Sequence, residues 1–166
     1  MKALIGVASS VVGLAVFGVA VADDKHAAAE GGMTAVSPRD VKWVEGPASL
    51  PKGAKVAVIY GDPAKPALFV MRVKMPASYK IAPHWHPADE NVTVLSGTLF
   101  MGHGDKLDTA TGTAVPAGGF MSMPAKAHHY AYTKKEAILQ ISSMGPWAIN
   151  YLNPADDPRT TAAATK

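Results

Sequence analysis

The sequence predicts an all-β domain, and three observations favour this class. Short apolar segments recur along the chain, and in several of them apolar and polar side chains alternate with the two-residue period of a strand. Thirteen prolines and fifteen glycines separate these segments, as is typical of the turns in β-proteins. A chain of 166 residues with 48% hydrophobic residues indicates one domain with a substantial core.

The composition excludes several classes of function. The chain contains no cysteine, so it has neither disulfides nor thiolate metal sites nor a cysteine nucleophile. Its formal charge is +3 and no basic run is present, so we expect no nucleic-acid partner.

Residues 1–22 have the features of a cleaved secretory signal. Lys2 is followed by the uncharged run Leu4–Val21, and Ala20–Ala22 forms a small-residue cleavage site before Asp23. The alternative is a retained membrane anchor, because the run approaches the length of a spanning helix. Small and hydroxyl residues dilute the run and acidic residues follow it, which favours cleavage. We therefore expect a periplasmic protein that has no membrane association after signal cleavage.

The predicted domain spans residues 37–154, between a flexible leader at residues 23–36 and a disordered tail at residues 155–166. Strand Leu68–Met75 illustrates the alternation, with apolar side chains at every second position and basic ones between. Ser96-Gly97 predicts a tight hairpin turn between its two neighbouring strands. The predicted strands are Lys55–Tyr60, Leu68–Met75, Ile81–His86, Asn91–Leu95, Thr98–Met101, Ala114–Val115, Phe120–Met123, His128–Thr133, Ala137–Ser143 and Trp147–Leu152.

The first candidate functional residues are two histidines that lie two positions apart in the sequence. Side chains alternate along a strand, so His84 and His86 project from one face and Trp85 from the other. Pro87 interrupts the strand, and Glu90 can return toward the pair from the next segment. Two imidazoles and a carboxylate suit a first-row transition metal, and a third histidine would complete the set.

The third histidine is either His128 or His129, because neighbours on a strand face opposite ways. His129 lies on the face that carries Ala131, whereas His128 shares its face with Tyr130 and Tyr132. A metal-holding interior needs room, so we favour His129 and keep His128 as the alternative. The two tyrosines are then expected to point away from the site.

Two motifs carry a resemblance to the cupin family. His84, His86, Glu90 and Gly97 match the first cupin motif, H-x-H-x3-E-x6-G, at every spacing, and Ser78 stands where that motif opens with glycine. The second motif, G-x5-P-x-G-x2-H-x3-N, is matched less completely. It aligns with Gly118, Pro124 and His129, with Lys126 in place of its second glycine and Thr133 in place of its asparagine.

The resemblance implies a single-domain jelly-roll β-barrel that binds one divalent transition metal: Mn, Fe, Co, Ni, Cu or Zn. It implies that the ligands are His84, His86, Glu90 and His129. Lys126 must either adopt the left-handed backbone angle that glycine serves in this motif or reshape the turn. Two other histidines, His26 and His103, are expected to take no part.

The function expected from this resemblance is that of a metal-dependent enzyme of the oxygenase or isomerase type. Its substrate would be a small oxygenated molecule that chelates the metal, and Glu90 would accept a proton. The alternatives are a non-catalytic cupin that binds or senses a small ligand, and a metal that only stabilises the fold. A homodimer formed through a sheet edge, with Lys55–Tyr60 as the candidate strand, is a further expectation by analogy.

Overall fold

The computed structural model describes residues 33–163. The predicted signal segment and residues 23–32 of the leader lie outside this range. A 3₁₀ turn at Pro38–Asp40 precedes the strands, and a second at Pro154–Asp156 is followed by helix α1, Pro158–Ala163. The strands are β1 Val44–Glu45, β2 Lys55–Tyr60, β3 Leu68–Met75, β4 Lys80–Trp85, β5 Glu90–Ser96, β6 Thr98–His103, β7 Thr113–Pro116, β8 Phe120–Met123, β9 His129–Tyr132, β10 Ala137–Met144 and β11 Asn150–Tyr151.

The strands form two antiparallel sheets, which confirms the predicted all-β class. One sheet has the order β1-β2-β3-β10-β5-β8 and the other the order β11-β4-β9-β6-β7. Side chains from both sheets form one apolar core, in which Met75, Val94 and Leu99 are fully buried. No helix among residues 33–163 is long and apolar enough to cross a membrane.

The predicted hairpin at Ser96-Gly97 is wrong. Strand β5 pairs with β10 and β8, whereas β6 pairs with β9 and β7 in the other sheet. Gly97 lies where the chain crosses between the sheets, with a φ of +73°. A Cβ at this position would lie 2.3 Å from the carbonyl oxygen of Glu136. Glycine is therefore required here by a sheet crossing and not by a two-residue hairpin.

Strand β1 covers the first two residues of β2, so the candidate edge strand is an edge over only part of its length. Val44 lies opposite Val56, and Glu45 lies opposite Lys55 with a 3.4 Å ion pair. The expected homodimer stays a prediction.

Tyr130 and Tyr132 lie on the outer face of β9, as expected, yet both are buried. The loop between β6 and β7 covers them, and their hydroxyls donate to the carbonyls of Asp108 at 3.0 Å and Thr109 at 2.7 Å. A Cβ at Gly102 would lie 2.2 Å from the Tyr130 ring, so a glycine makes room for it. The polar β6–β7 loop therefore covers the outer face of this sheet at the two tyrosines.

The tail expected to be disordered from residue 155 contains a 3₁₀ turn and helix α1 as far as residue 163. Arg159 explains this difference. Its guanidinium lies 2.6 Å from the Asp157 carboxylate and donates to the carbonyl of Ile149 at 3.2 Å. This last contact ties the segment to the residues just before β11.

Candidate metal centre

Both sheets contribute to the candidate site. His84 lies near the end of β4, directly opposite His129 of the neighbouring strand β9, and His86 follows the same strand. Glu90 opens β5 in the other sheet. The connecting turn is fixed through Asp89, whose carboxylate accepts the Ala125 N–H at 2.8 Å and whose carbonyl accepts the Ser143 hydroxyl at 2.6 Å.

The four predicted residues meet inside the barrel. Their exposed fractions are 1% for His129, 3% for His84 and His86, and 6% for Glu90. One ring nitrogen from each of the three histidines lies within 4.8 Å of the others. Glu90 Oε2 lies 3.3 Å from His129 Nε2 and 3.7 Å from His86 Nε2. The three histidines could therefore hold a metal ion, with the carboxylate beside them.

Backbone carbonyls orient all three imidazoles. The Nδ1 atoms of His84, His86 and His129 lie 2.7, 2.7 and 2.9 Å from the carbonyl oxygens of Ala82, Ala148 and Ala127. A carbonyl oxygen can only accept, so each Nδ1 carries a hydrogen, and in the neutral ring each Nε2 then keeps its lone pair. This is the tautomer that a metal ligand needs.

The electrostatic environment keeps His84 and His86 neutral. Burial, followed by repulsion from His129 and His86, lowers the pKa of His84 to about 3. Burial also lowers the pKa of His86, although Glu90 opposes this. Burial disfavours charge on His129 and Glu90 as well, but each stabilises the charge of the other. The pKa of His129 is therefore raised, and that of Glu90 is lowered.

The unsatisfied atoms in this cluster match the needs of a metal site. His86 Nε2, His129 Nε2 and Glu90 Oε2 are buried without a hydrogen-bond partner. Such groups are rare in proteins and costly unless they share a partner. Imidazole nitrogens and a carboxylate oxygen form a donor set for first-row transition metals, so the residues present fit such an ion. Their assignment as ligands stays a prediction.

The other histidines lie elsewhere. The His128 side chain is 42% exposed, and its Nδ1 lies 2.6 Å from Asp105 Oδ1. His103 is exposed at the end of β6, and His26 lies outside the described residues. The structure thus brings His129, and not the alternative His128, to Glu90.

At the two positions where another residue replaces a motif glycine, the backbone still has the positive φ angle that glycine favours. Among residues 33–163, Ser78 and Lys126 are the non-glycine residues with positive φ, at +59° and +63°. Lys126 therefore adopts the left-handed angle instead of reshaping the turn, and its N–H donates to the His86 carbonyl at 2.8 Å. Thr133, in place of the motif asparagine, donates its hydroxyl to the Pro76 carbonyl at 2.6 Å.

Sequence reasoning missed two aromatic residues beside the imidazoles. The Trp147 ring stacks on His86, with the centroids 4.0 Å apart and the planes at 14°. The Tyr151 centroid lies 5.9 Å from that of His84. Both residues belong to the segment after β10, for which the sequence predicts only a final strand. The Tyr151 contact depends on the pairing of β11 with β4, and the Trp147 contact depends on a hydrogen bond to Pro63, neither of which a local pattern reveals.

Comparison with known families agrees with this architecture. The model of the ChrR cupin-like domain matches residues 32–148, which is more than half of the chain. The chain belongs to the ChrR cupin-like family. This confirms the cupin resemblance. No curated protein sequence matches the chain.

Solved structures similar to this ChrR cupin-like chain share its fold at low identity. The polyketide cyclase RemF from Streptomyces resistomycificus is 17% identical, with a TM-score of 0.62, and the match covers 80% of this chain and 94% of that one. A putative acetylacetone dioxygenase from Methylibium petroleiphilum is 18% identical, with a TM-score of 0.59 and coverages of 82% and 97%. An RmlC-like cupin from Shewanella frigidimarina is 12% identical, with a TM-score of 0.53 and coverages of 68% and 91%. At these identities the likeness shows the fold alone.

Proposed function

We propose that this protein is a metal-dependent enzyme of the oxygenase or isomerase type that acts on a small oxygenated molecule. The observation that carries the proposal is the set of buried, oriented and unpartnered donor atoms on His86, His129 and Glu90. Two imidazole nitrogens and a carboxylate oxygen that are buried without a hydrogen-bond partner are costly unless they share a ligand.

The residues that would hold the metal are His84, His86, Glu90 and His129. A divalent first-row metal bound there would supply Lewis acidity toward a carbonyl or enolate oxygen, or redox chemistry with dioxygen. The carbonyls of Ala82, Ala148 and Ala127 keep the imidazoles in the ligating tautomer. The depth of the cluster excludes bulk water, which strengthens the electrostatic interactions within it.

Glu90 is the proposed proton acceptor. Its Oε2 has no hydrogen-bond partner and lies 3.3 Å from His129 Nε2. A carboxylate in this position can take a proton from a substrate carbon next to a carbonyl and can pass it on. The imidazoles around Glu90 lower its pKa despite its burial, so it is ionised and ready to accept at neutral pH.

The substrate class that we propose is a compound with two oxygens placed to chelate a metal, such as a 1,3-diketone. Two structural neighbours support this choice, since one is described as a putative acetylacetone dioxygenase and the other as a polyketide cyclase. Their names concern those proteins, and the likeness to this chain is one of fold. Metal-loaded protein should therefore be assayed for turnover and for oxygen consumption with 1,3-diketones, flavonols and hydroxy acids.

A second candidate is a non-catalytic cupin that binds or senses a small ligand. The observation that favours it is the lowered pKa of Glu90, because a carboxylate that holds a proton weakly is a poor general base. The assay separates the two candidates. Turnover that is lost in Glu90→Gln supports the enzyme. A ligand that raises the melting temperature of metal-loaded protein without turnover supports the binding protein.

We further propose that the protein is exported to the periplasm. The support is the run Leu4–Val21 after Lys2 and the small-residue site Ala20–Ala22. Expression of the full chain in a Gram-negative host, followed by fractionation and intact-mass measurement, tests this. A periplasmic product that begins at Asp23 is expected, and a full-length product in the membrane fraction would support the anchor instead.

A further inference from the structure

His86 is held differently from the other two histidines of the candidate site. His84 and His129 each donate to a carbonyl two residues earlier in the chain, at Ala82 and Ala127. The acceptor for His86 is Ala148, 62 residues away. The orientation of two rings is therefore set locally, whereas that of His86 depends on the segment that follows β10.

The same segment also supplies a ring that stacks on His86. The indole of Trp147 lies parallel to the imidazole within 14°, with the centroids 4.0 Å apart. The carbonyl of the next residue, Ala148, accepts the Nδ1–H of His86 at 2.7 Å. The stacked face and the hydrogen-bonded edge together limit both rotation and tilt of the ring.

Contacts to the β2–β3 region fix this segment in turn. The Trp147 N–H donates to the Pro63 carbonyl at 2.7 Å, and the Gly145 N–H donates to the Ala67 carbonyl at 3.0 Å. Phe69 packs edge-on against the indole, with the centroids 5.5 Å apart. A Cβ at Gly145 would lie 2.2 Å from the Lys65 carbonyl oxygen, so the two segments are in close contact.

We infer that Trp147 is a positioning residue for the metal centre: with the Ala148 carbonyl it holds the His86 ring so that Nε2 points into the cluster. This inference rests on the proposed function, because it assigns His86 as a ligand. Residues that orient a metal ligand from outside typically change metal affinity by 10- to 100-fold when removed. Trp147 would orient His86 through packing, and Ala148 would orient it through a hydrogen bond to its carbonyl.

The test compares Trp147→Leu, which removes the stacking ring, with Trp147→Phe, which keeps an aromatic face. Trp85→Leu is the matched control, because Trp85 is half-buried and adjacent to His86 in sequence but on the opposite face of β4. The first readout is NMR of the imidazole ring N–H protons in metal-free protein. Trp147→Leu should speed hydrogen exchange at His86 selectively, whereas His84 and His129, held by their own strands, should keep their rates.

The second readout is the affinity for Zn²⁺, measured by competition with a chelator. We expect about 10-fold weaker binding in Trp147→Leu and near wild-type binding in Trp147→Phe and Trp85→Leu. Equal acceleration at all three histidines, or none at any, would overturn the inference, since the role of Trp147 would then be general packing or nothing. Failure of the wild-type protein to bind metal would overturn the proposed function, while the NMR result would still decide whether Trp147 orients His86.

Discussion

His84 is a histidine that the fold keeps neutral. Burial, followed by the nearby His129 and His86 rings, lowers its pKa to about 3. In the unfolded chain its pKa returns to about 6.5. Between these two values the unfolded state binds a proton that the folded state rejects, so folding becomes less favourable as the pH falls.

We predict that this group makes metal-free protein lose about 1.4 kcal/mol of unfolding free energy per pH unit below about pH 6. This loss of unfolding free energy is absent above the unfolded-state pKa of about 6.5, and it accumulates as the pH falls toward 3. Urea titrations at several pH values measure the slope. His84→Gln should show a shallower slope than the wild type, because it lacks this group and retains His86. Equal slopes would contradict the assignment of His84 as buried and neutral.

The adjacent histidines 128 and 129 provide a second test at the residue scale. His129→Ala should abolish metal uptake, since it removes a ring that is 1% exposed and lies beside Glu90. His128→Ala should leave uptake at the wild-type level, because that side chain is 42% exposed and pairs with Asp105. Equilibrium dialysis followed by elemental analysis measures both. The opposite pattern would reinstate the alternative ligand from the sequence.

At the scale of elements, the turns before β4 and β9 carry strain that glycine would relieve. Ser78 and Lys126 hold φ angles of +59° and +63°, a region that costs an L-residue roughly 1–2 kcal/mol. Glycine removes this cost but gives up about 0.5–1 kcal/mol of chain entropy. Ser78→Gly and Lys126→Gly should therefore stabilise the protein by roughly 0.5–1 kcal/mol each.

Chemical denaturation at neutral pH measures these changes. Lys80→Gly is the control, because Lys80 is also an exposed lysine but lies within β4, where glycine should destabilise by about 0.5–1 kcal/mol. Destabilisation by Lys126→Gly would mean that its side chain contributes more than the backbone angle costs.

The strands themselves were largely predictable from sequence, and their partners were not. The alternation in Leu68–Met75 and the Pro and Gly boundaries are local signals, and β3 has the predicted bounds. Ser96-Gly97 gave a false hairpin because a turn dipeptide does not say whether the next strand returns to the same sheet. The tyrosines of β9 were placed on the correct face, but their burial depends on a loop whose folding no periodicity indicates.

In the candidate site, too, the residues marked by a local pattern were predictable and those that depend on long-range contacts were not. His84, His86 and Glu90 were found because seven residues of chain contain all three, and His129 because strand alternation separates it from His128. Trp147 escaped detection because its segment is held against His86 by hydrogen bonds to Pro63 and Ala67, about 80 residues earlier in the chain. Spacing within one segment reveals ligands, whereas the residues that orient them come from distant parts of the chain.

At the scale of the whole molecule, the candidate centre joins the two sheets. His84 and His129 belong to paired strands of one sheet, and Glu90 opens a strand of the other. Unfolding separates these strands, so the assembled donor set exists only in the folded state. Any ion that binds it adds its binding free energy to the stability of the whole domain.

We therefore predict that Zn²⁺, used as a probe at about 100 times its dissociation constant, stabilises the protein by about 2.7 kcal/mol. For a domain of this size that corresponds to a rise in melting temperature of roughly 10 °C. Differential scanning calorimetry with and without Zn²⁺ measures the rise, and a chelator should reverse it. His129→Ala should show no rise, whereas His128→Ala should respond as the wild type does. A rise that persists in His129→Ala would place the stabilising ion away from the cluster, because the buried ring nitrogen opposite Glu90 would then contribute nothing to its binding.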